Sequence, residues 1–250
     1  MEGINKFTNK AVNYRKYRPE YPDDFFDYLV NLIKINKESI VADIGAGTGI
    51  LTKRISQISK LVYAVEPNES MRKECKSYCD ENNVYTLNGC AENTSLVKNS
   101  IDFITVAQSL HWFDIDKARI EFKRILKDDG KTILVWNSRD RNDEFIKEYF
   151  EILHKMCPEF KGFSGGVEFG TDKSIDFFKN QRCEHKVFLN KKFETLETFV
   201  GGSLSASYAP NKGDDNYNEF IKSIKDIFIR FSVNDRVMIN YNTNSYVGMP

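Results

Sequence analysis

Apolar residues follow two alternating patterns along the chain up to about Val135. Short runs rich in Val and Ile resemble buried strands, and most are followed by a segment whose apolar residues have helical spacing. The predicted strands read IVADI, LVYAV, VYTLNG, FITVA and TILVW, and helices are predicted from Ile50, from Ser70 and near Lys117 to Leu126. This alternation predicts a parallel sheet covered by helices on both faces. Ligands of such sheets bind beyond the carboxyl ends of the strands.

The pattern changes after Trp136. Helices are predicted over Arg141 to Met156 and near Tyr217 to Phe231, and strands over Lys186 to Phe193 and Arg236 to Tyr246. The glycine-rich stretch from Phe160 to Gly170 is predicted to be a mobile loop. Near the N-terminus, Asp23 or Asp24 is predicted to cap a helix that runs through FFDYLVNLI.

Composition narrows the classes of function. The 36 Lys and Arg residues balance the 36 Asp and Glu residues and are interleaved with them, so nothing favours a nucleic-acid backbone or an anionic membrane as partner. No stretch approaches the length of a membrane span, and the polar N-terminus does not read as a signal peptide. The five cysteines are odd in number and lack framework spacing, which predicts free thiols and a cytoplasmic location.

The most informative segment is SIVADIGAGTGILT, from Ser39 to Thr52. It joins a strand to a helix through a glycine turn, where backbone N–H groups can approach a ligand closely. A dinucleotide fingerprint has glycines at its first, third and sixth places, but here the sixth place is Ile50. The turn also lacks the Gly-Lys-Ser/Thr ending of a P-loop. With Asp43 two positions before Gly45, the turn fits a ligand without a phosphate.

The next strand ends in Glu66, 21 positions after Gly45 (66 − 45). A carboxylate at the end of a second strand can accept hydrogen bonds from two ribose hydroxyls. A nucleoside without a pyrophosphate suggests S-adenosylmethionine (SAM).

Six segments in register resemble those of class I SAM-dependent methyltransferases, in the group that acts on small molecules (type 11-like). They are Asp43 to Gly49, Val65 to Asn68 with Met71, Gly89 to Glu92, Asp102 to Phe113, Leu126 to Leu134 and Tyr14 to Pro22. In the family these correspond to the SAM loop, the ribose and adenine segment, a turn against adenine, the fourth strand with its loop, the corner into the fifth strand and an N-terminal arm. The resemblance covers most of the chain.

The resemblance implies an α/β fold: a doubly wound, mostly parallel, seven-stranded Rossmann-like sheet with a helical lid. We expect a single methyltransferase domain over 1–250. It comprises an arm over the cofactor (1–22), a SAM-binding core (23–136), a helical lid with the last helices and a strand (137–235) and a final strand (236–250).

The resemblance also implies which residues bind the cofactor. The expected set is Tyr14, Arg18, Asp43, Gly45, Ala46, Gly47, Glu66, Pro67, Met71, Ala91, Glu92, Gln108, Ser109 and Trp112. For some of them a plain structural role stays open. Glu92 could be a surface carboxylate, Trp112 could fill the core, and Tyr14 and Arg18 could belong to a solvated segment that leads into a helix. No metal is expected, since the pair Cys75 and Cys79 lacks further ligands.

His111 is the candidate catalytic residue, because it follows the fourth strand where both reactants should meet. It could act as a general base or only position the loop and the cofactor, and we favour positioning. The expected acceptor is a small molecule that presents a carboxylate or a hydroxyl, and Arg18, Arg139 and Arg141 are suited to an anion. A non-catalytic SAM-binding protein and a nicotinamide-dependent oxidoreductase are the alternatives, and the oligomeric state is left open.

Overall fold

A computed structural model describes residues 15, 17–162, 176–178, 183–206 and 208–250. Within these residues seven strands form one sheet. The strands are β1 (Ile40–Ile44), β2 (Leu61–Val65), β3 (Val84–Leu87), β4 (Ile101–Ala107), β5 (Leu126–Arg139), β6 (Glu184–Glu194) and β7 (Val237–Gly248). All the strands predicted from the apolar pattern are therefore confirmed, and β5, β6 and β7 are longer than predicted.

The strands lie in the order β3-β2-β1-β4-β5-β7-β6 across the sheet. β1 pairs in parallel with β2 on one side and with β4 on the other. The winding thus reverses between β1 and β4, so the loops that follow these two strands diverge and leave a crevice at the carboxyl edge. The chain accordingly has the α/β, Rossmann-like architecture that the sequence predicts.

The expectation of a mostly parallel sheet does not extend to its last two strands. β7 is antiparallel both to β5 and to β6, so two of the six neighbouring pairs are antiparallel. Both strands alternate between buried and more exposed positions over much of their length. Such alternation is typical of antiparallel strands with one solvated face, whereas the parallel strands β1 and β2 are more continuously buried.

Seven α-helices connect or flank the strands in the described part of the chain. They are α1 (Asp23–Tyr28), α2 (Ile50–Ser56), α3 (Glu69–Tyr78), α4 (Ile115–Ile125), α5 (Glu144–Met156), α6 (Leu196–Leu204) and α7 (Tyr217–Phe231). Four of them begin at a polar side chain that accepts a hydrogen bond from a first-turn N–H, which satisfies a donor left open by the helix. These caps are Asn68, Asp114, Asp143 and Thr195.

The start of α1 corrects one prediction. Asp23 and Asp24 lie in the first turn of the helix, and the residue before it is Pro22, which gives no side-chain cap. The extended backbone of Pro22 sets the boundary instead, and the two carboxylates face the positive end of the helix dipole. Asp23 also pairs with Arg54 at 2.6 Å. After Tyr28 the helix widens into a π-helical turn.

Helices α5, α6 and α7 pack together in a hydrophobic cluster of their own. The cluster includes Val237, Ile239 and Tyr241 from the first half of β7. Because β7 runs antiparallel to β5, these residues lie near the carboxyl end of β5, where Tyr241 pairs with Arg139. The three helices therefore stand at the same edge of the sheet as the crevice.

Two predicted features fall wholly or partly outside the described residues. These are the arm over the cofactor, of which residues 1–14 (with Tyr14) and 16 are not described, and the glycine-rich loop, of which residues 163–170 are not described. Among the helices of the described segments, none is both long enough and apolar enough to cross a membrane.

Candidate functional site

The glycine turn after β1 is held against the neighbouring strand. The N–H groups of Gly45 and Ala46 donate to the carbonyl of Val65 at 2.9 and 3.1 Å. Gly45 has φ +70°, and a Cβ at this position would lie 2.6 Å from the Ser109 hydroxyl, so no side chain fits. Gly47 has φ +57° and open space where a Cβ would be. The turn thus presents bare backbone to the crevice.

Glu66 lies beside this turn at the end of β2. Its Oε2 accepts a hydrogen bond from the N–H of Gly47 at 2.9 Å, and its Oε1 accepts one from the N–H of Asn68 at 2.9 Å. Burial raises the pKa of Glu66, and these backbone hydrogen bonds oppose that rise. A carboxylate can accept about four hydrogen bonds, so Glu66 keeps acceptor capacity after these two.

Asp43 has a different environment from the one expected. Its Oδ2 accepts a hydrogen bond from the Thr52 hydroxyl at 2.6 Å, and its Oδ1 accepts one from the Thr105 hydroxyl at 2.8 Å. The residue is only 1% exposed. It points into the protein, where it ties β1 to α2 and to β4, and it does not line the cavity described below. The assignment of Asp43 to the cofactor-binding set therefore does not match its position.

The turn after β3 carries Ala91 and Glu92. Ala91 is buried, and the Glu92 carboxylate accepts a hydrogen bond from the N–H of Asp114 at 2.8 Å. Glu92 therefore joins this turn to the start of α4 while it faces the crevice. Met71, in the first turn of α3, is also buried and lines the same crevice.

The segment after β4 crosses the site and supports the glycine turn. The Ser109 hydroxyl donates to the carbonyl of Ile44 at 3.1 Å, and Gln108 Nε2 donates to the carbonyl of Asn137 at 3.2 Å. The His111 ring lies 4.6 Å from the Trp112 ring and 5.1 Å, edge to face, from the Trp136 ring. Aromatic packing therefore fixes the position of His111.

These segments line one cavity of about 1290 Å³. Its walls include Arg18, Gly45, Ala46, Gly47, Glu66, Pro67, Met71, Ala91, Glu92, Gln108, Ser109, His111 and Trp112. Of the predicted site residues that the structure describes, only Asp43 does not line this cavity. Trp112 is 52% exposed and lines the cavity, so it does not fill the core.

The opposite wall consists of residues that the sequence interpretation largely missed. They come from the N-terminal segment, β5, α5, the end of α6, the segment after α6 and β7, and include Tyr17, Asn137, Tyr149, Ser203, Tyr208 and Tyr241. Arg139 and Arg141, which were singled out for an acceptor, also line this wall. Apart from Tyr17, which lies in the Tyr14 to Pro22 segment, no local motif marks these residues, because the strands and helices that carry them are distant in the sequence and meet only in the folded protein.

The N-terminal segment bridges the two walls. Arg15 pairs with Glu74 of α3 at 2.7 Å. Further along, the carbonyl of Tyr17 accepts a hydrogen bond from Lys192 of β6 at 2.6 Å, and the carbonyl of Glu20 accepts one from Asn190 at 2.7 Å. Residues 17–21 are thus attached to the far edge of the sheet while Tyr17 lines the cavity.

Comparisons with known proteins agree with this geometry. The family model of a methyltransferase domain matches residues 42–134, which include the glycine turn, Glu66 and the segment after β4. An uncharacterized methyltransferase from Schizosaccharomyces pombe is 31% identical over 247 residues, which cover 96% of this chain and 95% of that protein. An uncharacterized methyltransferase from Mycobacterium tuberculosis is 36% identical over 147 residues, or 59% of this chain and 58% of that one.

A solved structure has the same fold. It is that of a proposed type II methyltransferase from Anaeromyxobacter dehalogenans, with a TM-score of 0.71 and 19% identity, and the match covers 93% of this chain and 98% of that chain. The full-length relative from S. pombe and the matching domain establish the family. The chain belongs to the class I SAM-dependent methyltransferases.

Proposed function

We propose that this methyltransferase transfers the methyl group of SAM to a carboxylate or hydroxyl oxygen of a small-molecule acceptor. One observation carries the proposal: a single cavity is lined on one side by the glycine turn and Glu66 and on the other by polar side chains of the C-terminal elements. Its volume of about 1290 Å³ exceeds the roughly 300–1,000 Å³ of a usual ligand pocket. A cofactor and a small acceptor therefore have room together.

The residues of the first wall fit SAM. Gly47 leaves backbone exposed to the cavity, and Glu66 is oriented by two N–H groups while it keeps lone pairs for ribose hydroxyls. Met71 and Ala91 offer apolar surface for an adenine ring. When bound, SAM supplies a methyl group activated by a positively charged sulfur.

His111 acts in this proposal by positioning. Its ring is packed between Trp112 and Trp136, next to Ser109, which braces the glycine turn. Methyl transfer gains much of its rate from alignment of the reactants and from exclusion of water. A rigid aromatic cluster between the two walls provides both.

Helices α5, α6 and α7 serve as a helical lid over the acceptor, and the N-terminal segment closes the other side. Their common cluster packs on the first half of β7 at the carboxyl edge. Tyr17 and Arg18 reach the cavity from the N-terminal segment. An acceptor enclosed in this way is a small molecule rather than a nucleic acid or a membrane lipid surface. We place the protein in the reducing cytoplasm, since its five cysteines are free thiols.

Calorimetry followed by a product screen tests the proposal. We expect SAM and S-adenosylhomocysteine (SAH) to bind at micromolar affinity and NAD not to bind. The protein is then incubated with SAM and a mixture of small metabolites, and mass spectrometry identifies products heavier by one methylene. Binding of NAD with no binding of SAM would contradict the cofactor assignment. Methylation confined to protein or nucleic-acid substrates would contradict the acceptor class.

A further inference from the structure

We infer that the acceptor carries a carboxylate remote from the methylated atom, and that Arg139 binds this carboxylate on the lid side of the cavity. The inference rests on the proposed function, because it names the chemical class of the molecule that occupies the acceptor half. Four features support it: the distance of Arg139 from the cofactor loops, the aromatic side chains around its guanidinium, the balance of charges and the type of hydrogen-bond donors.

Arg139 lies well away from the loops that face the cofactor. It is the last residue of β5, four residues beyond Val135, and Val135 pairs with Ala107 at the end of β4. At about 3.3 Å per residue, Arg139 is roughly 13 Å further along the sheet than Ala107, and roughly 10 Å further than Gln108, where the Gln108–Trp112 segment starts. A group bound there belongs to the far end of an acceptor.

Three tyrosines surround the guanidinium. The Arg139 carbon Cζ lies 5.5 Å from the centre of the Tyr241 ring. Tyr149 and Tyr208 interact electrostatically with the same guanidinium, and burial raises the pKa of both phenols, so both stay neutral. The Tyr149 hydroxyl donates its proton to the Ser203 hydroxyl at 2.9 Å, which fixes its ring, whereas the Tyr208 hydroxyl can donate to a ligand. The cation therefore sits in a rigid, aromatic part of the cavity.

Among the described residues, cations outnumber carboxylates in this part of the cavity. The charged side chains that the structure describes there are Arg139, Arg141, Lys161, Glu159 and Glu194. Glu194 pairs with Lys192 at 2.6 Å and also raises the pKa of the Arg139 guanidinium, so this one carboxylate is shared between two cations. Arg18 also lies near Tyr208. The positive charges of Arg139 and Arg18 both lower the pKa of the Tyr208 phenol, which burial raises. An excess of positive charge in an enclosed site favours an anionic ligand.

The donors point to a carboxylate rather than to a phosphate. A guanidinium presents two parallel N–H groups that match the two oxygens of a carboxylate. Phosphate sites commonly use the backbone N–H groups of a helix N-terminus or glycine loop. Here the polar groups around Arg139 are side chains of β7, of the interior of α5 and of the segment after α6.

Binding of matched acids and amides to the SAH-loaded protein tests the inference without turnover. The probes are aliphatic and aromatic mono- and dicarboxylic acids, each paired with its carboxamide, together with phenyl phosphate. We expect the best acid to bind at least about tenfold more tightly than its amide. Equal binding of acid and amide in every pair, or a preference for phenyl phosphate over all the acids, would overturn the inference.

Substitutions test whether Arg139 is responsible for the preference for acids over amides. Arg139→Gln should remove the acid-to-amide preference while SAH affinity stays within about twofold, and Arg139→Lys should keep part of it, because lysine is charged but lacks the planar fork. Arg230→Gln, which removes a guanidinium paired with Glu148 on the outer side of α7, serves as the control and should change nothing. An unchanged preference in Arg139→Gln would contradict the inference.

Tyr208→Phe gives an independent check in case Arg139→Gln does not fold. It keeps the ring that packs 4.8 Å from the Phe160 ring and removes only the hydroxyl, so we expect a two- to tenfold loss of acid affinity, typical of one hydrogen bond. An unchanged acid affinity would count against the site. If the wild-type protein does not bind SAH, the proposed function is overturned. If it binds SAH but binds acids no better than their amides, only this inference is overturned.

Discussion

The carboxylate of Asp43 accepts a hydrogen bond from the hydroxyl of Thr105, 2.8 Å away on the neighbouring parallel strand. The two residues are partners in the register of β1 and β4. The second carboxylate oxygen accepts from Thr52, which anchors α2. Burial raises the pKa of Asp43 to about 6, although the two hydroxyls lower it. The residue is thus a buried acid beneath the glycine turn, and its protonation is linked to folding.

The first prediction follows from this linkage. The pKa of Asp43 is higher in the folded state than in the unfolded chain, so its stabilising contribution is complete below about pH 4 and is lost as the pH rises through about 6. Asp43→Asn removes this titration. The free energy of unfolding of the variant, relative to wild type, should therefore rise by about 3 kcal/mol between acidic and neutral pH.

Urea denaturation of both proteins between about pH 4 and 8 measures this difference. Any constant cost of replacing the carboxylate by an amide shifts the whole curve and does not affect the slope. Two curves that stay parallel over the range would show that Asp43 does not titrate there.

The second prediction concerns Glu66. Glu66→Ala should weaken SAM binding by about 1–3 kcal/mol, because the ribose hydroxyls lose a charged acceptor and the N–H groups of Gly47 and Asn68 lose their partner. Glu69→Ala, in the exposed first turn of α3, is the matched control and should leave the affinity unchanged. Calorimetry with SAH measures both. An affinity of the Glu66 variant equal to that of the control would remove Glu66 from the site.

The part of the site that could be predicted from sequence is the part encoded locally. Gly45, Gly47 and Glu66 lie at the ends of two adjacent strands, so their spacing alone brings them together. Spacing does not reveal which way a side chain turns, and Asp43 was therefore expected to face the cofactor although it faces Thr52 and Thr105.

The acceptor wall could not be predicted in the same way. Tyr241 meets Arg139 through the antiparallel pairing of β7 with β5, about a hundred residues apart in the sequence. Helix α6 was missed because Gly201 and Gly202 lower the helix propensity of its middle. Its capping box at Thr195 and Thr198 uses a threonine where glutamate or glutamine is more usual.

The third prediction compares these two neighbouring glycines. A methyl group at Gly201 would lie 2.5 Å from the Tyr17 ring, whereas one at Gly202 would be 3.5 Å from the Tyr17 Cβ, an ordinary contact. Both Ala substitutions gain similar helix propensity, so their difference isolates the clash. Gly201→Ala should be less stable than Gly202→Ala by about 1–3 kcal/mol, the usual cost of overpacking.

Urea denaturation gives the stability difference, and hydrogen exchange locates it. In Gly201→Ala we expect faster exchange in residues 17–21, because the displaced Tyr17 ring loosens the N-terminal segment. Equal stability and equal exchange in the two variants would show that α6 does not hold this segment through Tyr17.

The last prediction concerns His111 and requires an identified acceptor. A general base contributes roughly 10²–10⁴ in rate, and its loss removes a pKa from the acidic limb of kcat/KM. The packing of the His111 ring against Trp112 and Trp136 favours a positioning role. An acceptor that is already a carboxylate also needs no base. His111→Gln should therefore reduce kcat/KM less than a hundredfold and preserve the shape of its profile between about pH 5 and 8. A larger loss in which the acidic limb disappears would identify His111 as the base.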